Sequence, residues 1–356
     1  MTDKHLKALG LFGSDHAIQG IKVEDIYSSI KLYGLTHNML DKCHDGAHCP
    51  IPGQSFSNNP FGVMENEDSY LARKEAQLNQ YLSLIDKAIE NNEPIDFIFL
   101  QEVDIFTKSL SQEFETRQNQ IVENFFSALN ERGWSLEKTL PNDNCKPLVT
   151  LYNNQTLNPW HCNFFIKDSR NSKNTAFEVL CEHIPTNRMV ALTNMHLDYA
   201  RDELLLSQEI SDILSMHSED TDYDVLAIAG GDCNHPREKL KCAIGPAGLA
   251  TALTKDDRGY VTTMYSSGIP NTIDNFFVSK ERYKGQINVS SHSCYFFNDL
   301  HEVEKVPDDS LEQRKQSSQE LNLSSFNRFK LRSSTLSSSE GMKVDYERRR
   351  QLTTSG

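Results

Sequence analysis

Apolar and polar positions along this chain repeat with two periods. Between Ser69 and Asn91 apolar residues fall at Leu71, Leu78, Leu82, Ile85 and Ile89, steps of seven, four, three and four that keep one helical face apolar. Pro94 ends that helix, and Ile95–Leu100 (IDFIFL) is a short apolar run of the kind that fills a buried strand. A second helix is predicted from Leu110 to Arg132, with Ile121, Val122, Phe125, Phe126 and Leu129 inward, and a third from Glu203 to Met216. The remaining periodic segments read as strands: Lys31–Asn38, Pro147–Tyr152, Asn163–Lys167, Ala176–Ile184, Arg188–His196, Val225–Gly230, Ile273–Ser279 and Gln286–Phe297. Many strands and few helices predict an α+β fold, two packed sheets covered by helices, with no internal repeat.

This pattern fades near Pro307. From Asp308 to Gly356 there are eleven serines, nine Lys/Arg and seven Asp/Glu, with little apolar clustering beyond one short helical stretch at Ser310–Leu323. Such a segment cannot bury enough surface to offset its ordering entropy, so residues 308–356 are expected to form a flexible, Ser-rich tail behind a domain spanning 1–307. The whole chain of 356 residues carries a net charge of −14, the tail at +2 (nine minus seven) and the body at −16 (−14 minus 2). That excludes a protein that coats nucleic acid or an anionic membrane by charge alone, but not an enzyme that handles phosphate through a bound cation. No apolar run reaches the roughly 18 residues of a membrane span. Near the N-terminus the apolar stretch Leu9–Phe12 is broken by Ser14, Asp15 and His16, so no signal peptide is expected and the location is read as cytoplasmic. The eight cysteines are sparse and several lie in apolar runs, which suits free thiols in a reducing compartment rather than a disulfide framework.

Chemistry-bearing residues recur where strands end. Asn38 closes the first strand, Glu102 follows IDFIFLQ, His196 ends VALTNMH, Asp232 and Asn234 follow VLAIAGG, and Asp274 opens DNFFVS. A single Asn or Asp at a strand end is ordinarily a turn residue. Several together, each just beyond a buried strand, form a set that a rigid frame can preorganise.

In order along the chain, LTHNML (35–40), FLQEVD (99–104), PLVTLYNN (147–154), TNMHLDY (193–199), GGDCNHP (230–236) and TIDNFFVS (272–279) resemble the endonuclease/exonuclease/phosphatase superfamily of metal-dependent phosphoesterases. The resemblance covers roughly Lys31 to His301. It implies a four-layer α/β/β/α sandwich of two mainly antiparallel sheets, and a phosphodiesterase or nuclease using Mg²⁺ or Mn²⁺. It further implies that Asn38 and Glu102 hold the metal, that Asp232 activates water beside Asn234, that His196 donates to the phosphate, and that Asp274 pairs with a histidine near the domain's C-terminal end. There the family carries a Ser-Asp-His triplet, and this part of the chain has none. Ser290-Ser291-His292 keeps the histidine but lacks the aspartate. Asp299 and His301 keep a carboxylate for the metal and a histidine for the phosphate, one residue too far apart, and are preferred because Asn288–Phe297 reads as the strand leading into them.

Cys43, His44, His48 and Cys49 crowd into seven residues, but neighbouring Cys43 and His44 would strain to share one tetrahedral zinc, so a polar loop after Asn38 is expected instead. His183 and His235 read as structural and loop residues, and Tyr199 as core or rim. The expected partner is a phosphoester, either nucleic acid or a phospholipid headgroup, met by a monomer without membrane insertion. Two alternatives stay open: a phosphatase or phospholipase acting on a phosphoinositide, sphingolipid or small phosphoester, and a degenerate binding protein that keeps the fold.

Overall fold

The computed structural model describes residues 18–25, 29–39, 67–92, 94–106, 110–139, 147–169, 172–197, 203–214, 224–235, 240, 250–251, 263–264, 270–271, 273–278, 287–291, 295–298, 302–305 and 342–346. The strands are β1 (Gln19–Asp25), β2 (Lys31–Asn38), β3 (Phe97–Gln101), β4 (Trp134–Lys138), β5 (Val149–Asn153), β6 (Leu157–Ser169), β7 (Ser172–His183), β8 (Arg188–His196), β9 (Val225–Asp232), β10 (Ala250–Thr251), β11 (Thr263–Met264), β12 (Pro270–Asn271), β13 (Asp274–Val278), β14 (Ile287–Ser291), β15 (Tyr295–Asn298), β16 (Glu302–Lys305) and β17 (Met342–Tyr346). The helices are α1 (Glu67–Glu90), α2 (Gln112–Glu131) and α3 (Glu203–Leu214).

Two sheets carry the fold, one in the order β14-β1-β2-β3-β5-β4 and one in the order β10-β13-β9-β8-β7-β6-β17. Each is antiparallel except for one parallel pair, β2·β3 in the first and β8·β9 in the second. Three apolar layers separate four structural layers. Leu71, Leu78 and Ile85 of α1 and Ile121, Phe125 and Leu129 of α2 pack on Leu35, Ile98, Leu100 and Leu151 of the first sheet. The two sheets bury Ile21, Leu32, Phe97, Phe99, Val190, Leu192, Ile228 and Phe276 against each other. Ile210 and Ile213 of α3 cover Ala191, Met195, Ala227 and Phe277 on the far face of the second sheet. The architecture is therefore the α/β/β/α sandwich that the resemblance implies.

Helix ends follow local electrostatics. Glu67 and Asp68 open α1 and Lys87 lies in its last turn, while Glu113 and Glu115 open α2, each sign complementing the helix dipole. Ser111, at the N-cap of α2, makes no capping bond of its own and instead donates its hydroxyl to Glu67, joining the two helix starts.

Some expectations change. Ile89, placed on the buried stripe of α1, is 53 % exposed. A helix of 24 residues is about 36 Å long and outruns the strands beneath it, so its last turn overhangs the sheet. Gln286–Phe297 is not one strand. Ile287–Ser291 pairs with β1 in the first sheet, whereas Tyr295–Asn298 pairs with Glu302–Lys305 in a separate ribbon. The strands at 163–167 and 176–184 are parts of a long β6–β7 hairpin. Strands β1 and β4 were not anticipated. β1 (QGIKVED) holds only two large apolar side chains, Ile21 and Val23, both facing the other sheet, too few to mark a strand by alternation. Cys162, Cys181 and Cys233 are free thiols. Among the described residues no helix is long and apolar enough to cross a membrane. The predicted helix at 310–323 lies outside the described residues, and of the expected tail only β17 is described, paired with β6.

At the end of the first sheet remote from the strand ends listed above, Asp96 joins β2 to the approach of β3. Its carboxylate accepts from the Tyr33 N–H at 2.7 Å, and its own N–H donates to the Tyr33 carbonyl. Burial pushes this carboxyl from its usual 3.8 up to about 6, against hydrogen bonds from Tyr33 and Thr156. A carboxyl raised on folding holds its proton more tightly in the folded state, so its contribution is most favourable below the unfolded pKa and is lost as pH rises through about 6. Between about pH 4 and pH 7 this group is expected to lower the unfolding free energy by about 2–3 kcal/mol. Urea melts across that range should show the fall in the native chain and not in Asp96→Asn; identical profiles would contradict it.

Candidate functional site

Alternation along the strands builds the site. Facing the other sheet, β2 presents Leu32, Gly34, Thr36 and Asn38, and β3 presents Phe97, Phe99 and Gln101. From the second sheet, β8 presents Val190, Leu192, Asn194 and His196, and β9 presents Leu226, Ile228, Gly230 and Asp232. Strand β13 runs the other way with Val278, Phe276 and Asp274. Every column is apolar at one end and polar at the other, and all the polar ends coincide. The parallel pairs ensure this by bringing two C-terminal ends side by side in each sheet. Asn38 stands opposite Gln101, and His196 opposite Asp232, with Asp274 opposite Asp232 on its other side.

Close packing holds these ends in place. A Cβ on Gly34 would lie 2.0 Å from the Phe97 ring, so glycine is what lets that ring fill the inter-sheet layer. At Gly231, next to Asp232, φ is +150° and a Cβ would lie 1.9 Å from the Met195 carbonyl oxygen, so a side chain would force β9 away from β8.

Polar bonds lock the sheets together at the same level. Asn38 Nδ2 donates to Asp232 Oδ2 at 2.9 Å, from one sheet to the other. One step deeper, Gln101 Nε2 donates to Asn194 Oδ1 at 2.7 Å and to Thr36 Oγ1 at 3.1 Å. Asn194 Nδ2 in turn donates to the carbonyls of Leu100 and Val149 at 3.0 and 2.9 Å. Beyond β9 the Asn234 N–H donates to Asp232 Oδ1 at 2.9 Å, and Asn234 Nδ2 donates to the Leu197 carbonyl at 2.7 Å. Glu102 and Asn234 both hold left-handed backbone, with φ of 56° and 50°. Asn tolerates that conformation; for Glu it costs about 1–2 kcal/mol, so the surrounding contacts must hold Glu102 there.

Those contacts come from α1. Arg73, Lys74 and Gln77 all donate to the Met39 carbonyl, at 3.1, 3.0 and 3.1 Å, directly after Asn38. The fully buried Lys74 ammonium also lies 3.5 Å from the Glu102 carbonyl and 3.6 Å from the Asp104 carboxylate, which accepts from Tyr70 as well. One helix face thus fixes both loops that leave the parallel pair of the first sheet.

The resulting cluster is rich in negative charge. His196 Nε2 lies 3.7 Å from Glu102 Oε1 and 3.6 Å from Asp232 Oδ2, and 3.3 Å from Asn234 Nδ2. Nε2 accepts from Asn234 when it carries no proton and meets the two carboxylates favourably when it does. The Cys233 thiol is pushed well up, first by burial and then by the charges of Asp232 and Asp274. Glu102 and Asp232 are nearly buried, at 7 % and 2 % exposure, a setting in which a carboxylate is costly unless hydrogen-bonded or paired. Among the described residues no group of three or more His, Cys, Asp or Glu side chains is gathered to hold a metal ion. The donors present are hard oxygens. With its nitrogen committed to Asp232, Asn38 can offer a cation only its carbonyl oxygen. That chemistry fits Mg²⁺, which binds few protein oxygens and keeps several waters.

Of the residues singled out in the sequence, Asn38, Glu102, His196, Asp232, Asn234 and Asp274 lie at this one end of the inter-sheet layer. Asp299, His301, His292, Tyr199 and the group Cys43, His44, His48 and Cys49 lie outside the described residues. His183 holds a turn through Thr186 Oγ1 at 2.8 Å, and burial lowers its pKa. His235, expected in a loop, is buried there. Gln101, Asn194 and Lys74 were not singled out. The first two were legible, because Gln101 precedes Glu102 at the end of an inward column and Asn194 shares the parity of His196. Lys74 carried no such signal, since a lysine on a helix reads as solvated.

No family model matches the sequence, and no curated protein does. Among solved structures, the chain is similar to an endonuclease/exonuclease/phosphatase from Bacteroides vulgatus, with 12% identity, TM-score 0.43 and coverage of 64% of this chain and 94% of that one. It is similar to ANGEL2, a 2',3'-cyclic phosphatase, with 13% identity, TM-score 0.44 and coverage of 74% and 86%. It is also similar to the mannosyl-6-phosphatase Bt3783 of Bacteroides thetaiotaomicron VPI-5482, with 13% identity, TM-score 0.43 and coverage of 61% and 81%. This likeness is one of fold.

Two substitutions test the framework. Asn194→Ala strips the Leu100 and Val149 carbonyls and the Gln101 amide of a partner, and is expected to cost about 3 kcal/mol in urea unfolding; a loss near zero would show that the bridge is dispensable. Lys74→Met leaves Asp104 buried without its cation and is expected to cost about 3–5 kcal/mol, with Lys74→Met/Asp104→Leu costing less than the single change. A double variant no better than the single one would contradict the pairing.

Proposed function

We propose that this chain is a divalent-metal-dependent phosphoesterase of the phosphodiesterase or nuclease type. The observation that carries the reading is the approach of Glu102 and Asp232, from different sheets, to one nitrogen of His196, with Asn38 bonded to Asp232. Glu102 and the Asn38 oxygen are the groups that would hold Mg²⁺ or Mn²⁺. A cation bound there supplies the positive charge that offsets the phosphate oxygens and the developing oxyanion.

The chain's own residues account for the rest. Asp232, fixed on one oxygen by the Asn234 N–H and on the other by the Asn38 amide, aligns a water and takes its proton as the water oxygen bonds to phosphorus. The bond from phosphorus to the departing alkoxide breaks on the opposite side. His196, in its protonated state, donates from Nε2 to a phosphoryl oxygen and steadies the charge that accumulates there. Asn234 holds Asp232 and the Leu197 carbonyl, so it positions the loop rather than the substrate. Asp274, opposite Asp232 in the ladder, adds negative charge at the same end and suits a histidine partner.

The body's acidity favours a second arm of the same chemistry, a small phosphoester rather than a polynucleotide, because a chain at −14 lacks the charge that tracks a phosphate backbone. The test is hydrolysis of bis(p-nitrophenyl) phosphate, p-nitrophenyl phosphate and a single-stranded oligonucleotide. Diester cleavage is expected with Mg²⁺ or Mn²⁺, lost on chelation and restored by adding metal. Glu102→Gln and Asp232→Asn are each expected to lower kcat/KM by about 10²–10³-fold. Monoester cleavage alone would favour a phosphatase. A folded chain inert toward every substrate and metal would favour the binding protein that keeps the fold.

A further inference from the structure

One rung of the second sheet runs straight through the site. Asp274 stands opposite Asp232, Asp232 opposite His196, and His196 opposite Thr175 on β7, so four strands contribute one row of side chains at the polar rim. The row changes character along its length, from two carboxylates through an imidazole to a hydroxyl. Thr175 shares the face of Phe177 and Val179, which look into the inter-sheet layer, and so lies on the same side of the sheet as His196. Strand β8 ends at His196, whereas β7 and β6 stay paired for three more rungs, Asn174 with Lys167, Lys173 with Asp168 and Ser172 with Ser169. About 10 Å of paired backbone therefore stands past the row on the Thr175 side.

Thr175 is 2 % exposed, and its hydroxyl has no hydrogen-bond partner. Valine would fill the same space without burying an unpaired donor, so nothing in the packing asks for threonine at this rung. Thr150 and Thr193 also bury unpaired hydroxyls. Thr150, however, lies opposite Phe99 in the depth of the layer, and Thr193 has the opposite parity to His196, so neither meets the rim. Neighbouring strands are about 4.8 Å apart, which sets Thr175 about 5 Å from His196 and about 10 Å from Asp232 along the row. A water about 3 Å from the Asp232 carboxylate, phosphorus about 3–3.5 Å beyond it and the departing oxygen in line behind reach about 8 Å from Asp232. That carries the departing oxygen past His196 and into hydrogen-bonding range of Thr175.

We propose that Thr175 is a catalytic residue whose hydroxyl donates a hydrogen bond to the departing oxygen of a phosphodiester with a strongly basic leaving group. The proposal rests on the phosphoesterase reading and deepens it, because it assigns the side of the site from which the alcohol leaves. As the water oxygen bonds to phosphorus, Asp232 takes the water's proton. The bond from phosphorus to the alcohol oxygen breaks with its electron pair staying on that oxygen. Thr175 steadies the charge through its hydrogen bond and keeps its own proton, and solvent protonates the departing oxygen. The products are a phosphomonoester and an alcohol. A weakly basic leaving group carries its charge unaided and gains little from the donor, whereas a strongly basic one gains much. The paired backbone beyond Thr175 then flanks the departing alcohol.

The test compares two diesters on the full chain with Mn²⁺: bis(p-nitrophenyl) phosphate, whose departing phenolate is weakly basic, and diphenyl phosphate, whose departing phenolate is more strongly basic. Thr175→Val is expected to lower kcat/KM about 100-fold on diphenyl phosphate and about 10-fold or less on bis(p-nitrophenyl) phosphate. Thr175→Ser, which keeps a donor, is expected to recover most of that loss. The melting temperature of Thr175→Val should be no lower than that of the native chain, since the hydroxyl has no partner in the fold. Equal losses on the two diesters, no loss on diphenyl phosphate, a serine variant as impaired as the valine one, or a fall in melting temperature would overturn this inference and leave the phosphoesterase reading standing. So would a native chain that cleaves only bis(p-nitrophenyl) phosphate. Failure of the native chain to cleave either diester would overturn the inference and the phosphodiesterase reading together.

Discussion

The structure depends on where the apolar layer between the two sheets stops. For most of its depth this layer is Phe97, Phe99, Phe276, Leu192 and Ile228, which bring the sheets together without fixing their alignment. At one end it gives way to hydrogen bonds that cross between them, Asn38 to Asp232 and Gln101 to Asn194. These are directional and buried, so a shift between the sheets would leave several groups unsatisfied at once. The same bonds that set the alignment also gather the side chains of the candidate site. The site is the polar rim of the core rather than a pocket added to it.

That economy has a cost, and the chain meets it locally. Glu102 occupies left-handed backbone, and the carboxylates of Glu102 and Asp232 meet around one imidazole nitrogen. Neither arrangement is favourable alone. Helix α1 offsets the first by directing Arg73, Lys74 and Gln77 onto the backbone leaving β2, with Lys74 close to the carbonyl of Glu102. Under the proposed function a bound divalent ion would offset the second. A frame that tolerates such charge crowding is suited to a reaction whose substrate brings still more negative charge, because the cation then serves both.

Much of this was legible in the sequence, for physical reasons. Strongly amphipathic segments such as Leu71–Ile85 and continuous apolar runs such as Phe97–Leu100 leave little choice of element, so the helices and central strands emerge where their periodicity predicts. Polar residues closing those strands were recognisable because a buried strand gives them one common edge. Less legible was anything that depends on pairing between distant segments. Strand β1 holds only two large apolar side chains, Ile21 and Val23, and the Gln286–Phe297 run divides between two sheets. Lys74 looked like a surface lysine until its carbonyl partners were in place.

The central claim is that the meeting point of the two parallel pairs is a divalent-cation site on which a phosphoester is hydrolysed. The most direct measurement is an anomalous difference map from crystals of the chain soaked in Mn²⁺. The account predicts a single dominant peak between the Glu102 and Asp232 carboxylates, within coordinating distance of Glu102 and facing the Asn38 oxygen. A map with no peak there, with His196 closed onto both carboxylates as an ion pair, would contradict it.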